Sequence, residues 1–322
     1  MGFDHGRRYR RDSGRSHNAL PDGAPQKRTC GVTLREALLD AARRLEIHRV
    51  SNPRLTAEVL LAHCMSVDRT YLYTHDDRIL QDEERRRFEH ALRQRISGVP
   101  LQYIVGRQEF YGREFVVNPS VLIPRPETEF VVESVLEVHR ELPELHSAHG
   151  VSIIDVGAGS GCIGLTLALE LPTAAVILAD VSIEALRVAQ TNARNLSARA
   201  LFVCMDALDA VTGPFDFVVS NPPYVSPRDA AGLQREVREY EPPVAFFAPE
   251  EGMAFIRRLV ESAERLLKPG GFLVMEIGFG MEERVGSLFG PRWERRPAKL
   301  DLQGIPRVVI ARMKPRVGHP PA

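Results

Sequence analysis

Cysteine is scarce in this chain of 322 residues: Cys30, Cys64, Cys162 and Cys204 stand far apart, and no Cys-x-x-Cys pair occurs. That spacing excludes a disulfide scaffold and a thiolate zinc centre and points to a reducing, cytoplasmic setting. A surplus of either charge is also missing, since 42 Lys and Arg balance 42 Asp and Glu. A protein that coats nucleic acid through its phosphates needs an excess of cations, so that class is disfavoured. Long hydrophobic runs are absent too. The longest uncharged stretch of the apolar region, between Asp155 and Glu170, holds 14 residues and is rich in glycine, whereas a bilayer span takes about 20 apolar residues. No membrane segment is expected. There is no His-Glu-x-x-His, no Gly-Lys pair of a P-loop and no Gly-x-Ser-x-Gly, and the ten histidines show no ligand spacing; no metal site is expected.

What is present divides the chain unevenly. Residues 1–30 are poor in large apolar groups and carry Arg7, Arg8, Arg10, Arg11, Arg15, Lys27 and Arg28, a composition that cannot support a core and reads as a disordered basic tail. Residues 31–105 read as a small helical domain. Thr33 and Glu36 form a capping-box pair ahead of Leu34, Ala37, Leu38, Ala41 and Leu45, which recur on one face. A second helix follows Asn52-Pro53 with Leu55, Val59 and Ala62 inward, and a third begins at Asp82-Glu83-Glu84 and carries Phe88, Leu92 and Ile96. Residues 106–125 read as a β-hairpin linker, two extended runs flanking a turn at Asn118-Pro119.

From 126 to 314 short apolar runs alternate with helical segments, the pattern of βαβ units around a parallel sheet covered on both faces. The expected strands lie at 151–156, 175–180, 201–204, 217–220, 272–277 and 308–310. A short tail, 315–322, closes the chain. The expected fold is α/β, a Rossmann-like seven-stranded sheet ending in an antiparallel strand, with a small N-terminal helical domain.

The strand at 151–156 runs into Gly157-Ala158-Gly159-Ser160-Gly161-Cys162-Ile163-Gly164, a turn that lets a ligand approach the backbone closely. Gly159, Gly161 and Gly164 satisfy G-x-G-x-x-G, and Asp180 ends the next strand, where a carboxylate can accept hydrogen bonds from a ribose diol. Alone, that match fits NAD as well as an adenosyl cofactor. Asp155, at the strand end before the glycines, could hold a cationic amino group, which NAD does not present; it favours S-adenosyl-L-methionine. Asp206 follows the third strand and is placed to lie beside an adenine.

Asn221-Pro222-Pro223-Tyr224 follows the apolar strand at 217–220, at the carboxyl end where open α/β sheets bind ligands. Two prolines remove donors and fix φ, making a rigid platform with free carbonyls, preceded by an amide and followed by a flat ring. The Asn221 side chain and the Pro222 carbonyl can accept both N–H bonds of a planar amide or amine while Tyr224 holds its plane. These residues are the expected catalytic and substrate-binding set, and Asn221 is expected to contact the cofactor as well.

On these motifs, together with Glu109-Phe110-Tyr111-Gly112, the Leu122–Glu129 block and Gly304-Ile305-Pro306-Arg307-Val308-Val309, residues 31–314 resemble the HemK/PrmC-type peptide chain release factor N5-glutamine methyltransferases. The resemblance implies a class I enzyme in which Gly157, Ala158, Gly159, Ser160 and Gly161 wrap the methionine end of S-adenosyl-L-methionine. Asp180 then binds the ribose, Asp206 and Ala207 flank the adenine, and Asn221, Pro222, Pro223 and Tyr224 hold the glutamine of a release factor's Gly-Gly-Gln loop. Ala207 departs from an aromatic found in some relatives. The helical domain would dock the release factor, and Glu236, Glu239 and Glu241 would border the target loop. The chain is expected to act as a monomer, without a specific nucleic-acid partner. Two rivals are a ribosomal-protein glutamine methyltransferase and a nucleic-acid amino-group methyltransferase; near-neutral charge and the acidic 229–251 segment oppose the latter.

Overall fold

The structure, a computed structural model, describes residues 31–142, 150–208 and 211–315. The tail expected at 1–30, and all but the first residue of that expected at 315–322, lie outside the described residues. Thr33 opens the first helix: its hydroxyl accepts the Glu36 N–H at 3.2 Å while the Glu36 carboxylate accepts the Thr33 N–H at 2.9 Å, the reciprocal cap that the spacing predicts. Thr33→Ala is expected to lower stability by about 1 kcal/mol, seen as a lower urea midpoint at unchanged slope. Helices α1 (Leu34–Ile47), α2 (Pro53–Met65), α3 (Arg69–Thr74), α4 (Asp82–Ser97) and α5 (Leu101–Val105) follow. Leu34, Leu45, Leu60, Leu61, Leu72 and Leu92 form their shared core. Leu55, expected inward, is exposed, and α2 buries Ala57, Leu60, Leu61 and Cys64 instead. That helix is apolar on more than one side, so its packing against α1 and α4 chose the face.

Strands β1 (Arg107–Phe110) and β2 (Arg113–Val116) pair antiparallel. Their turn is Tyr111-Gly112, not Asn118-Pro119: φ is 51° and 69° at these two residues, the positive values whose twist joins hairpin strands without splaying them. Residues 121–123, read as the second extended run, form no strand.

The remainder comprises α6 (Glu129–Glu141), β3 (Ser152–Val156), α7 (Cys162–Glu170), β4 (Ala175–Asp180), α8 (Ile183–Leu196), β5 (Leu201–Cys204), β6 (Phe215–Ser220), α9 (Arg235–Tyr240), α10 (Pro249–Gly252), α11 (Ala254–Leu266), β7 (Leu267–Glu276), α12 (Glu282–Gly286), β8 (Trp293–Arg295), β9 (Lys299–Leu300) and β10 (Pro306–Met313). Seven strands run in the order β5-β4-β3-β6-β7-β10-β8, and the two-residue β9 pairs beside β10 as an eighth. Strands β3 to β7 are parallel, and β10 lies antiparallel to β7. This is the Rossmann-like, seven-stranded sheet with a C-terminal antiparallel strand that the sequence pattern predicts.

Alternate residues of the central strands feed two cores. Ile153, Phe217, Val219, Phe272 and Val274 meet α6 and α7 on one face; Ile154, Val218, Leu273 and Met275 meet α11 on the other. Strand β7 starts earlier than expected, at Leu267, because a register shift against β6 between Phe215 and Phe217 absorbs Lys268-Pro269-Gly270-Gly271 as a bulge. Among the described residues no helix is long and apolar enough to cross a membrane.

Candidate active site

Strand β3 pairs with β4 on one side and β6 on the other, so its carboxyl end marks the point where connections leave in opposite directions and a crevice opens. A cavity of about 450 Å³ lies there, within the range of small-molecule sites. One wall is the linker through Ser120, Val121, Leu122 and Pro124; the facing wall is the segment from Pro242 to Pro249. Glu241 ties the walls together, accepting the Ile123 N–H at 3.1 Å and pairing with Arg125.

The glycine loop forms the floor. The N–H groups of Gly157 and Ala158 both donate to the Ala179 carbonyl, at 2.8 and 3.0 Å, pinning the loop to the end of β4. A Cβ built on Gly157 or Gly159 would project into open space, and φ there is 71° and 55°. The backbone is therefore bared to the cavity by a conformation that L side chains resist. Gly161 does the opposite: a Cβ there would lie 2.9 Å from both Leu165 and Leu178, so it serves close helix–strand packing and does not line the cavity. Asn192 of α8 steadies the loop from behind, donating to the Ser160 carbonyl at 2.9 Å and exchanging hydrogen bonds with Val116 of β2.

Asp180 lines the cavity and accepts the Gly159 and Ser182 N–H groups, each at 2.8 Å, through different oxygens. Burial pushes its carboxyl above the usual range, and these donors oppose that shift. Asp206 and Ala207 also line the cavity; Asp206 pairs with Arg258 at 3.1 Å, and Ala207 adopts φ 50°. Asp155 does not reach the wall. Its side chain points from the strand end into the layer under α7, is fully buried, and accepts the Gly164 N–H at 2.9 Å through Oδ2 while Oδ1 has no partner. Burial raises its carboxyl to about 7. The direct contact with a cationic group expected from the sequence is not set up, because the strand face that carries Asp155 is the one α7 covers.

Asn221 and Pro223 line the cavity, whereas Pro222 is buried and Tyr224 turns away. The Asn221 Nδ2 donates to Thr128 Oγ1 at 3.1 Å, Thr128 Oγ1 donates to Glu276 Oε2 at 2.6 Å, and the Tyr224 hydroxyl donates to Glu276 Oε1 at 3.0 Å. Burial lifts the Glu276 carboxyl above its ordinary range, against the two hydroxyls that favour its anion. Among the described residues no cluster of His, Cys, Asp and Glu is suited to hold a metal.

Residues 36–106 match the family described as "PrmC N-terminal domain", and residues 140–236 match "Methyltransferase small domain". A "Release factor glutamine methyltransferase" of Koribacter versatilis is 44% identical over 284 residues, covering 87% of this chain and 99% of the relative. Its namesake in Chlorobaculum tepidum is 46% identical, over 75% of this chain and 84% of the relative. The chain belongs to the release factor glutamine methyltransferase family.

In this release factor glutamine methyltransferase family member, sequence reasoning missed Thr128, Glu276 and Asn192. Each had a faint signal: Thr128 lies in the Leu122–Glu129 block, Glu276 is a lone charge in an apolar strand, and Asn192 sits on the apolar side of an amphipathic helix. The acids expected to border the target loop are engaged internally. Glu236 pairs with Arg95 of α4, Glu239 with Arg235, and Glu241 with Arg125. The Glu236–Arg95 pair and the Tyr240 hydroxyl, which donates to the Ser97 carbonyl at 3.1 Å, fasten α9 to the helical domain.

Proposed function

We propose that this protein transfers the methyl group of S-adenosyl-L-methionine to the side-chain amide nitrogen of the glutamine in the Gly-Gly-Gln loop of a peptide chain release factor. One observation carries the reading: a single cavity brings the bared backbone of Gly157 and Gly159, the carboxylate of Asp180 and the amide of Asn221 together at the strand ends. The residues fit the cofactor. The open space over Gly157 and Gly159 is a cradle that any Cβ would fill, and Asp180 keeps lone pairs on both oxygens after taking its two backbone N–H bonds. The names of the relatives support a release factor as substrate.

When bound, the cofactor supplies an electrophilic methyl on a sulfonium sulfur. Asn221 Oδ1 accepts an N–H bond of the substrate amide and aims its nitrogen, whose lone pair is otherwise delocalised into its own carbonyl; Pro222, expected to accept the second, lies outside the cavity lining. Orientation of this kind supplies up to about 7–11 kcal/mol. The amide proton becomes acidic once the nitrogen gains its methyl, so it leaves to water without a strong base. Removing the carboxylate in Asp180→Ala is expected to weaken cofactor binding about 10- to 100-fold, the worth of a charge-assisted hydrogen bond; calorimetry checks it.

The decisive experiment incubates purified release factor with this protein and S-adenosyl-L-methionine and maps peptides by mass spectrometry. One added methyl on the Gly-Gly-Gln glutamine is the expected result. Cofactor binding without transfer removes the substrate assignment, and absence of binding by folded protein removes the methyltransferase reading.

A further inference from the structure

Glu276 is the charge the mechanism leaves unused. It ends β7 between the fully buried Met275 and Ile277 and is itself only 3% exposed. An ionised carboxyl in such a place is costly unless it is paired, yet the hydrogen bonds it receives come from two neutral hydroxyls, Thr128 at 2.6 Å and Tyr224 at 3.0 Å. Thr128 donates to Oε2 and Tyr224 to Oε1, so both hydroxyl protons are committed to Glu276. Thr128 has one proton, and with that proton turned to Glu276 its oxygen can only accept towards Asn221. The Asn221 amide must then present Nδ2 to Thr128, as it does at 3.1 Å. Its other end, the acceptor Oδ1, is left for the cavity that Asn221 lines.

We infer that Thr128 and Glu276 are positioning residues for methyl transfer: Glu276, as acceptor, sets the direction of the Thr128 hydroxyl, which locks the Asn221 amide with its carbonyl facing the substrate. The chain of contacts spans elements far apart in sequence, the turn before α6, the end of β7 and the loop after β6. It also holds Tyr224 by its hydroxyl, so both ends of the Asn221–Tyr224 platform hang on one carboxylate. Were the Asn221 amide reversed, two N–H donors would face the substrate's own N–H bonds and the substrate amide could not dock. The inference rests on the proposed activity.

The test compares Thr128→Val, Thr128→Ser and Glu276→Gln in release-factor methylation, with cofactor affinity and thermal unfolding measured on the same samples. Thr128→Val, nearly isosteric but without the hydroxyl, is expected to lower kcat about 10- to 100-fold, the scale of a misaligned reacting group, with KM and cofactor Kd within about threefold. Thr128→Ser keeps the hydroxyl and recovers kcat to within about threefold. Glu276→Gln can donate to Thr128 and reverse the chain, so it lowers kcat by a similar factor, and the double variant falls no further than either single one, as coupled sites require. Native kcat in Thr128→Val, equal loss in Thr128→Ser, or multiplicative losses in the double variant would overturn the proposal. A second readout does not depend on the substrate: hydrogen exchange of the Asn221 side-chain amide by NMR. Slow exchange in the native protein that becomes fast in Thr128→Val supports the lock, and fast exchange in both defeats it. Should the native enzyme bind cofactor without methylating release factor, the activity reading fails while this measurement still decides the lock.

Discussion

Asn221→Ala is expected to reduce methyl transfer by about 10³-fold, the scale seen when one preorganised polar group is removed from a reacting centre, while the cofactor Kd stays within about threefold. Three decades correspond to about 4 kcal/mol of transition-state stabilisation. The truncation takes away the acceptor Oδ1 and with it the contact that aims the amide nitrogen. It leaves the glycine loop and Asp180 intact, because neither bonds to Asn221. Stability should change little: Asn221 is only half-buried, and its removal leaves Thr128 an unfilled acceptor position while the Thr128 proton stays on Glu276. Single-turnover rates alongside calorimetry separate the two effects. More than a tenth of the native rate in the variant would take Asn221 out of the chemistry.

Gly252→Ala should disable the same site from outside the cavity. Gly252 ends α10 at φ 83°, and a Cβ placed on it would fall against the carbonyl oxygen of Tyr224. The two segments are held together, since Val225 donates to the Phe246 carbonyl at 2.8 Å and Ala248 donates to the Val225 carbonyl at 2.9 Å. Neither backbone can yield alone. The left-handed conformation costs an alanine about 1–2 kcal/mol, and overpacking adds about 1–3 kcal/mol. Relief requires moving the Asn221–Tyr224 loop, and a shift on the order of 1 Å costs about 10²-fold in rate. The expected outcome is a loss of about 2–5 kcal/mol in denaturant unfolding together with a fall in kcat of about 100-fold. Gly232→Ala is the control: it lies in the same segment with open space around it, and it should change stability by no more than about 0.5 kcal/mol. Equal behaviour of the two variants would show that the Tyr224 contact is unimportant.

Much of this molecule is written locally. The Thr33–Glu36 cap, the apolar strand running into Gly157–Gly161, and the strand running into Asn221–Tyr224 are each set by residues within a few positions of one another. Such features follow from capping, periodicity and φ preference, and the residues they single out, Gly157, Gly159, Asp180, Asn221 and Pro223, line one cavity. The hairpin turn departs from the expected place for a local reason as well: Asn118-Pro119 has stronger turn chemistry than Tyr111-Gly112, but strand pairing needs positive φ at two successive residues, and only the latter pair supplies it.

Other features were settled by distance. A buried carboxylate announces that it needs donors without naming them, so Glu276 could not be joined to Thr128, 148 positions away, nor Glu241 to Ile123, 118 positions away. Asp155 shows the same limit in orientation. Sequence puts it at a strand end beside the glycines, but which face of β3 looks into the crevice depends on where α7 packs, and α7 covers that carboxylate. The chain by itself determined which residue types stand at the strand ends, because those obey short-range rules of backbone and pattern. The tertiary structure alone decided which of their atoms face the cavity and which are spent on one another, because hydrogen-bond partners and burial are properties of surfaces that meet only when the sheet is assembled.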